Sequence, residues 1–290
     1  MKQLFTKLPR PFIVGVIHGK TPQDVMASMR NAGYDGAHAY NLHISKLAPQ
    51  YLEKDSLKKI IESTCRPVCA LYYAYMPYTE QQSSNANLKG DNEALRIEKL
   101  LLAVEAGAAA IDMPADTFRA ASCESGGKAK KNSGQLQDGV FEGLKLSGIT
   151  FEKAALEKQA QMIDKVHSYR SEVLLSVHTG TVMNSAQTLK LAENLEKRGA
   201  DMLKIVNACN NHEEMAEGIK TIIELKKNIR TPFLYICQGE YGKLTRVVGP
   251  MLGCMLAYCV HEYNESTHLH QPLIKSLRNV LQEVDWTVPE

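Results

Sequence analysis

Lys204 lies between apolar neighbours in Asp201–Asn207, DMLKIVN, and that setting is the first sign of chemistry in the chain. In a strand, such a side chain points either outward to covering helices or into an enclosed interior. Inside, desolvation penalises the ammonium and favours a neutral amine, which can attack a carbonyl carbon. The run Glu172–His178, EVLLSVH, ends in an imidazole one strand earlier. A lysine and a histidine on neighbouring strands make an imine former with a general acid and base beside it. Taken singly, each has a plainer reading: Lys204 as a lysine snorkelling to a rim, His178 as a satisfied hydrogen-bonding group.

Other chemistries lack their ligands or loops. The seven cysteines are an odd number with no CxxC pair, which fits reduced thiols better than a disulfide framework. No HExxH is present, and His268 and His270 stand only two apart, so no metal is expected. Gly15, Gly19 and Lys20 supply neither a GxGxxG nor a GxxxxGK[ST] loop, so no nucleotide is expected either. Imine chemistry needs no cofactor, because the iminium is itself the electron sink.

The elements that must position these groups alternate in type. Short apolar runs occur at Pro11–Gly19, Asp35–Leu42, Pro67–Tyr73, Ala108–Met113, Glu172–His178, Asp201–Asn207, Pro232–Gln238 and Cys254–His261. Continuous apolar runs are the signature of strands buried on both faces. Between and after them, Thr21–Asn31, Lys54–Ser63, Glu93–Ala106, Thr150–Ser168, Ser185–Gly199, His212–Lys227 and Pro272–Val284 carry apolar residues at helical spacing. Gly33, Gly107 and Gly199 each follow such a segment, as helix-ending glycines do. The pattern predicts an α/β fold, a single (β/α)8 TIM barrel over residues 1–290. Polar insertions are expected at about 75–91 and 120–148, after strands three and four; the second reads as a flexible insertion or a lid.

Lys and Arg total 34 against 32 Asp and Glu, a net charge of +2, which offers no electrostatic footprint for nucleic acid. No apolar run reaches the ~18–20 residues that span a bilayer. The first residues lack a secretory apolar stretch, so a cytoplasmic location is expected.

The segment Gln238–Gly253, QGEYGKLTRVVGPMLG, resembles the MGxxGxxSRxxGxxxG segment near strand seven of type I 3-dehydroquinate dehydratases. SVH at 176–178 is similar to that family's SxH motif, and GADMLKI at 199–205 to its GAD…KI motif. The resemblance implies a lyase in which Lys204 forms an imine with a carboxylated keto substrate and His178 moves the protons of a dehydration. It further implies that Arg246 clamps the carboxylate, that Gln271 with Thr267 belongs to the lid over the substrate, and that the enzyme is a homodimer. The front half departs from the family. Where members carry Glu-x-Arg on strand two, this chain is matched at His38-Ala39-Tyr40, and the strand-three Arg is matched at Tyr73. His38, Tyr40 and Tyr73, with Tyr72 and His18, are therefore expected to form a more aromatic, less charged wall for the substrate. Two alternatives stay open: a class I aldolase using the same lysine, and a barrel that binds a ligand without turnover.

Overall fold

The computed structural model describes residues 3–73, 89–119, 140–264, 267 and 269–289. Eight strands form its centre: β1 (Phe12–Ile17), β2 (Ala39–His43), β3 (Val68–Leu71), β4 (Ala110–Pro114), β5 (Glu172–His178), β6 (Met202–Ala208), β7 (Phe233–Gln238) and β8 (Leu256–Cys259). Among the described residues each is followed by one α-helix: α1 (Pro22–Asp35), α2 (Lys54–Glu62), α3 (Lys89–Glu105), α4 (Lys153–Ser168), α5 (Ser185–Glu196), α6 (His212–Asn228), α7 (Lys243–Leu252) and α8 (Ile274–Val284). The strands pair in parallel in the order β7-β6-β5-β4-β3-β2-β1-β8. A backbone hydrogen bond from Met255 N to Phe233 O, 2.8 Å, draws the two edges together. The fold is the expected (β/α)8 barrel, and its top face, where strands end and helices begin, is where such a fold builds sites.

The bottom is closed. Glu172 opens β5 pointing inward, and its carboxylate accepts the backbone N–H of Phe5 at 2.7 Å and the N–H and hydroxyl of Thr6. The turn Phe5–Lys7 thereby seals the barrel base, with Phe5 packed on Phe12 at 6.1 Å between ring centroids. Burial pushes the Glu172 carboxyl up, and the donors from Phe5 and Thr6 oppose that shift.

Two boundaries differ from the expected ones. Helix α1 runs through Gly33 and is capped at Gly36, whose φ of 111° only glycine adopts without strain. Gly33 serves packing instead: a Cβ there would come within 2.7 Å of the Tyr40 hydroxyl and 2.6 Å of Arg66. Strand two therefore starts at Ala39 and reaches His43. The second difference is α7, absent from the expected segments because Gly249 and Pro250 interrupt its helical period. The insertion expected at 75–91 lies mostly outside the described residues, and α3 already begins at Lys89. Of the one expected at 120–148, residues 120–139 lie outside them.

Among the described cysteines Cys69, Cys209, Cys237, Cys254 and Cys259 are buried free thiols and Cys65 is an exposed one. No described helix is long and apolar enough to cross a membrane.

Candidate functional site

Strand alternation decides what faces the barrel interior. On β6, Lys204 is registered opposite Ser176 of β5, and it is buried at 6% exposure. Its Nζ lies 3.0 Å from Asp112 Oδ2, on β4. Asp112 is fully buried and is held from its other oxygen by the Ser176 hydroxyl at 2.5 Å and the Tyr73 hydroxyl at 3.4 Å. Ser176 Oγ and the Tyr73 hydroxyl are themselves 3.1 Å apart. The ammonium also lies 5.8 Å from the Tyr73 ring centroid and 5.5 Å from that of Tyr258, on β8. The amine is thus not set in an apolar sleeve, as desolvation alone would require. Its partner is the Asp112 carboxylate.

His178 ends β5, and its ring meets that of Tyr73 edge-on at 6.1 Å between centroids. Its pKa is held well below the ordinary imidazole value, first by burial, then by the positive charges of Lys204 and Arg246. Those charges act on His178 because the fold brings the three groups to one end of the barrel. The strand-end geometry is fixed by Thr179, whose hydroxyl donates to Asn207 Oδ1 at 3.0 Å and whose N–H donates to Val206 O at 2.9 Å. Arg246 stands in the first turn of α7. The start of that helix is tied to β7 through Thr245, whose hydroxyl accepts the Cys237 N–H at 3.2 Å and donates to Gly242 O at 2.7 Å.

The opposite wall differs from the one expected. His38 precedes β2 at the barrel's lower end, exposed, with Nδ1 accepting the Ile13 N–H at 3.1 Å. Tyr40 points outward under α1, its hydroxyl 3.4 Å from Arg66 Nη1. Neither reaches the site. On the observed strand the side chains that face inward near the top are Asn41 and His43. Asn41 Nδ2 donates to the Tyr258 hydroxyl at 3.4 Å. His43 packs edge-on against His18 at 4.4 Å between ring centroids. Burial pushes the His43 pKa well down, and His18, Lys204 and Lys46 push it further.

The two residues expected in the loop after strand eight are placed separately. Thr267 staples a turn: its hydroxyl accepts the Asn264 N–H at 2.8 Å and donates to Asn264 O at 2.9 Å. Gln271 is anchored through its carbonyl, which accepts the Tyr263 hydroxyl at 2.9 Å, and its side-chain oxygen is buried without a partner among the described residues. Asp112, Ser176, Asn41, His43 and Tyr258 were not expected as site residues. Asp112 carried a usable signal, since an acid inside the apolar run AAAIDM is the same anomaly that marks Lys204.

A family model described as type I 3-dehydroquinase matches residues 16–285. The chain belongs to the type I 3-dehydroquinase family. Its members are dehydratases, carbon–oxygen lyases, which is the enzyme class expected from the sequence. A 3-dehydroquinate dehydratase of Desulfotalea psychrophila is 23% identical over 124 residues, covering 43% of this chain and 50% of that protein. One of Aromatoleum aromaticum is 28% identical over 88 residues, covering 30% and 33%. The chain thus matches a third to a half of the length of these curated relatives. Among solved structures, the 3-dehydroquinate dehydratase of Geobacillus kaustophilus superposes with a TM-score of 0.67 at 15% identity, covering 95% of this chain and 91% of that one. The type I enzyme of Clostridium difficile, solved with covalently modified comenic acid, gives 0.70 at 14%, covering 96% and 93%. Likeness at this identity speaks for the shared fold.

Proposed function

We propose that this family member is a Schiff-base dehydratase acting on a carboxylated keto compound. The observation that carries the reading is the convergence on one barrel interior of a buried amine, a carboxylate 3.0 Å from it, and an imidazole exposed to the charges of Lys204 and Arg246. In the proposed sequence Lys204 gives a proton to Asp112 and attacks the substrate ketone. Asp112 returns that proton to the carbinolamine hydroxyl, which leaves as water, and the iminium that remains faces the Asp112 carboxylate. The iminium acidifies the adjacent C–H. His178 takes that proton, the electron pair moves into an enamine, and the enamine expels a neighbouring hydroxide that leaves as water with the proton from His178. Hydrolysis of the remaining imine returns the lysine. Arg246 holds the substrate carboxylate through a forked guanidinium contact.

The inward pair near the top of strand two, Asn41 and His43, has the same spacing as the family's Glu-x-Arg. The wall that would meet the rest of the substrate is then amide, imidazole and phenol. The relatives' named substrate, 3-dehydroquinate, is the first compound to test. A homodimer in a cytoplasmic setting belongs to the same proposal and is read by sedimentation.

The test is borohydride reduction with a panel of keto acids, then intact mass and peptide mapping. The reading expects an adduct on Lys204 and a product enone absorbing in the ultraviolet. Two smaller carbonyl fragments would indicate aldol cleavage, and no adduct with any ketone would indicate a binding barrel.

A further inference from the structure

Beyond Pro114 and Ser176 the ends of β4 and β5 are joined by the chain that returns from the second insertion. Ile149 bridges Ala115 in parallel, with Thr150 N donating to Ala115 O at 3.1 Å. Ser147 N donates to Thr179 O at 2.9 Å, and its hydroxyl donates to His178 O at 2.9 Å. Residues 147–150 thus touch both the strand end that carries the imidazole and the strand end where the insertion departs. One side chain ties the two roots together. Arg198, just past α5, donates through Nη1 to Ala115 O at 3.1 Å and through Nη2 to Thr150 O at 2.9 Å. Gln159 Oε1 at 3.1 Å and Asn194 Oδ1 at 2.8 Å fix its guanidinium against α4 and α5, and Cζ lies 5.8 Å from the Phe151 ring centroid.

Every acceptor of Arg198 among the described residues is uncharged, and burial lowers its pKa to about 10. A cation kept from water without a carboxylate is a costly strut where packing alone is needed. What the guanidinium supplies, and an apolar side chain lacks, is a fork that binds two carbonyls at once in fixed geometry. The outgoing root is held as well. Gln159 Nε2 donates to Ala115 O at 3.0 Å and to Thr117 O at 2.8 Å, and Phe118 takes a φ of 70°, a conformation costly for a residue with a side chain.

We propose that Arg198 is a positioning residue for the proton-transfer step: by tying Ala115 to Thr150 it holds the 147–150 chain on the end of β5 and so fixes the imidazole of His178. This role rests on the reading of His178 as the proton carrier, and its test separates the two. The contacts of Arg198 do not reach Lys204, so its loss is expected to slow proton transfer and to spare imine formation.

Arg198→Met removes the fork and keeps a long side chain. The first readout needs no substrate: the titration of the His178 ring, followed by NMR of histidine-labelled protein and assigned by its loss in His178→Gln. A loosened 147–150 chain admits water to the ring, so the midpoint is expected to move up toward the ordinary value of 6.5 as burial is relieved and the charges of Lys204 and Arg246 stay. With 3-dehydroquinate as the probe, kcat is expected to fall at least about tenfold and KM to change by less than about threefold, while borohydride still traps substrate on Lys204. Leu57→Ala, in the buried face of α2, supplies a destabilised variant remote from these contacts, and both readouts are expected to hold there. Should Arg198→Met fail to fold, Arg198→Lys, which keeps the cation and gives up the fork, is read in its place, with a smaller shift in the same direction. A His178 titration that stays put in the folded Arg198 variant, or that moves equally in Leu57→Ala, overturns the inference even where the wild type forms the adduct and turns over. A titration that shifts in the Arg198 variant alone, in a protein that forms no adduct with any ketone, upholds the inference and overturns the imine.

Discussion

Lys204 Nζ lies 3.0 Å from Asp112 Oδ2, and the two side chains are 8% and 0% exposed. Charges so buried are stable only together, because removing one partner leaves the other without water or a counter-ion. Lys204→Ala is therefore expected to do two things. It abolishes turnover and adduct formation, and it lowers unfolding stability by about 3–5 kcal/mol. Adding Asp112→Asn to that variant recovers part of the stability and none of the activity. Denaturant melts of the two variants, with mass spectrometry after borohydride, read both effects. An unchanged melt for Lys204→Ala would mean the pair is not coupled as described.

The depressed pKa of His178 sets a pH dependence with a definite sign. Burial, Lys204 and Arg246 keep the ring deprotonated to well below the ordinary value of 6.5. A general base with that property is ready throughout the neutral range, so the acid limb of the kcat/KM profile is expected below pH 6.5. Stability shifts in the same direction. Between the folded and unfolded pKa values the unfolded imidazole binds the proton that the folded one refuses. The contribution is complete above the unfolded value and is lost as pH falls toward the folded one, and His43 adds to it with the same sign. Melting temperatures taken from pH 8 down to 5 should fall, and a rise on acidification would contradict the assignment.

Arg246 offers a separable test of binding. Its place in the first turn of α7, fixed by Thr245, puts a guanidinium within electrostatic reach of His178. Arg246→Lys keeps the charge and loses the fork that matches a carboxylate. The KM for a keto acid is expected to rise by about tenfold in Arg246→Lys and further in Arg246→Ala, with kcat changing less. Steady-state kinetics with an uncharged keto ester supplies the control, because its KM should not move.

The barrel and the candidate pair Lys204 and His178 were legible because their signals are local. Eight apolar runs alternate with helical segments, and an ionisable side chain inside such a run stands out, as Lys204 does. The errors arise where two local signals compete. Gly33 and Gly36 both look like helix ends, and the choice between them depends on Tyr40 and Arg66 packing against Gly33, a tertiary fact. Resemblance to a family motif matches His38 and Tyr40 to the recognition wall, whereas on the observed strand Asn41 and His43 face inward. The pairing of Asp112 with Lys204 spans β4 to β6, and no spacing along the chain encodes it. Arg246 is identifiable by motif, yet its helix is obscured by Gly249 and Pro250.

The chain returning from the second insertion lies across the end of β5, and this contact can be tested with one methyl group. Gly148 has φ 66°, and a Cβ on it would sit 2.7 Å from the His178 carbonyl oxygen and 3.0 Å from its nitrogen. The neighbouring Ser147 hydroxyl donates to the same carbonyl at 2.9 Å. Gly148→Ala must therefore displace the backbone that aims the imidazole, in addition to the ~1–2 kcal/mol that a left-handed conformation costs a residue with a side chain. Gly143 isolates that second effect, since its φ is 79° but a Cβ there meets nothing within 4 Å. Turnover is expected to fall at least about tenfold in Gly148→Ala, while borohydride still traps substrate on Lys204, which the methyl does not touch. Gly143→Ala should lose a similar amount of stability and keep its rate. Equal rates in the two variants would show that the position of His178 does not depend on this contact.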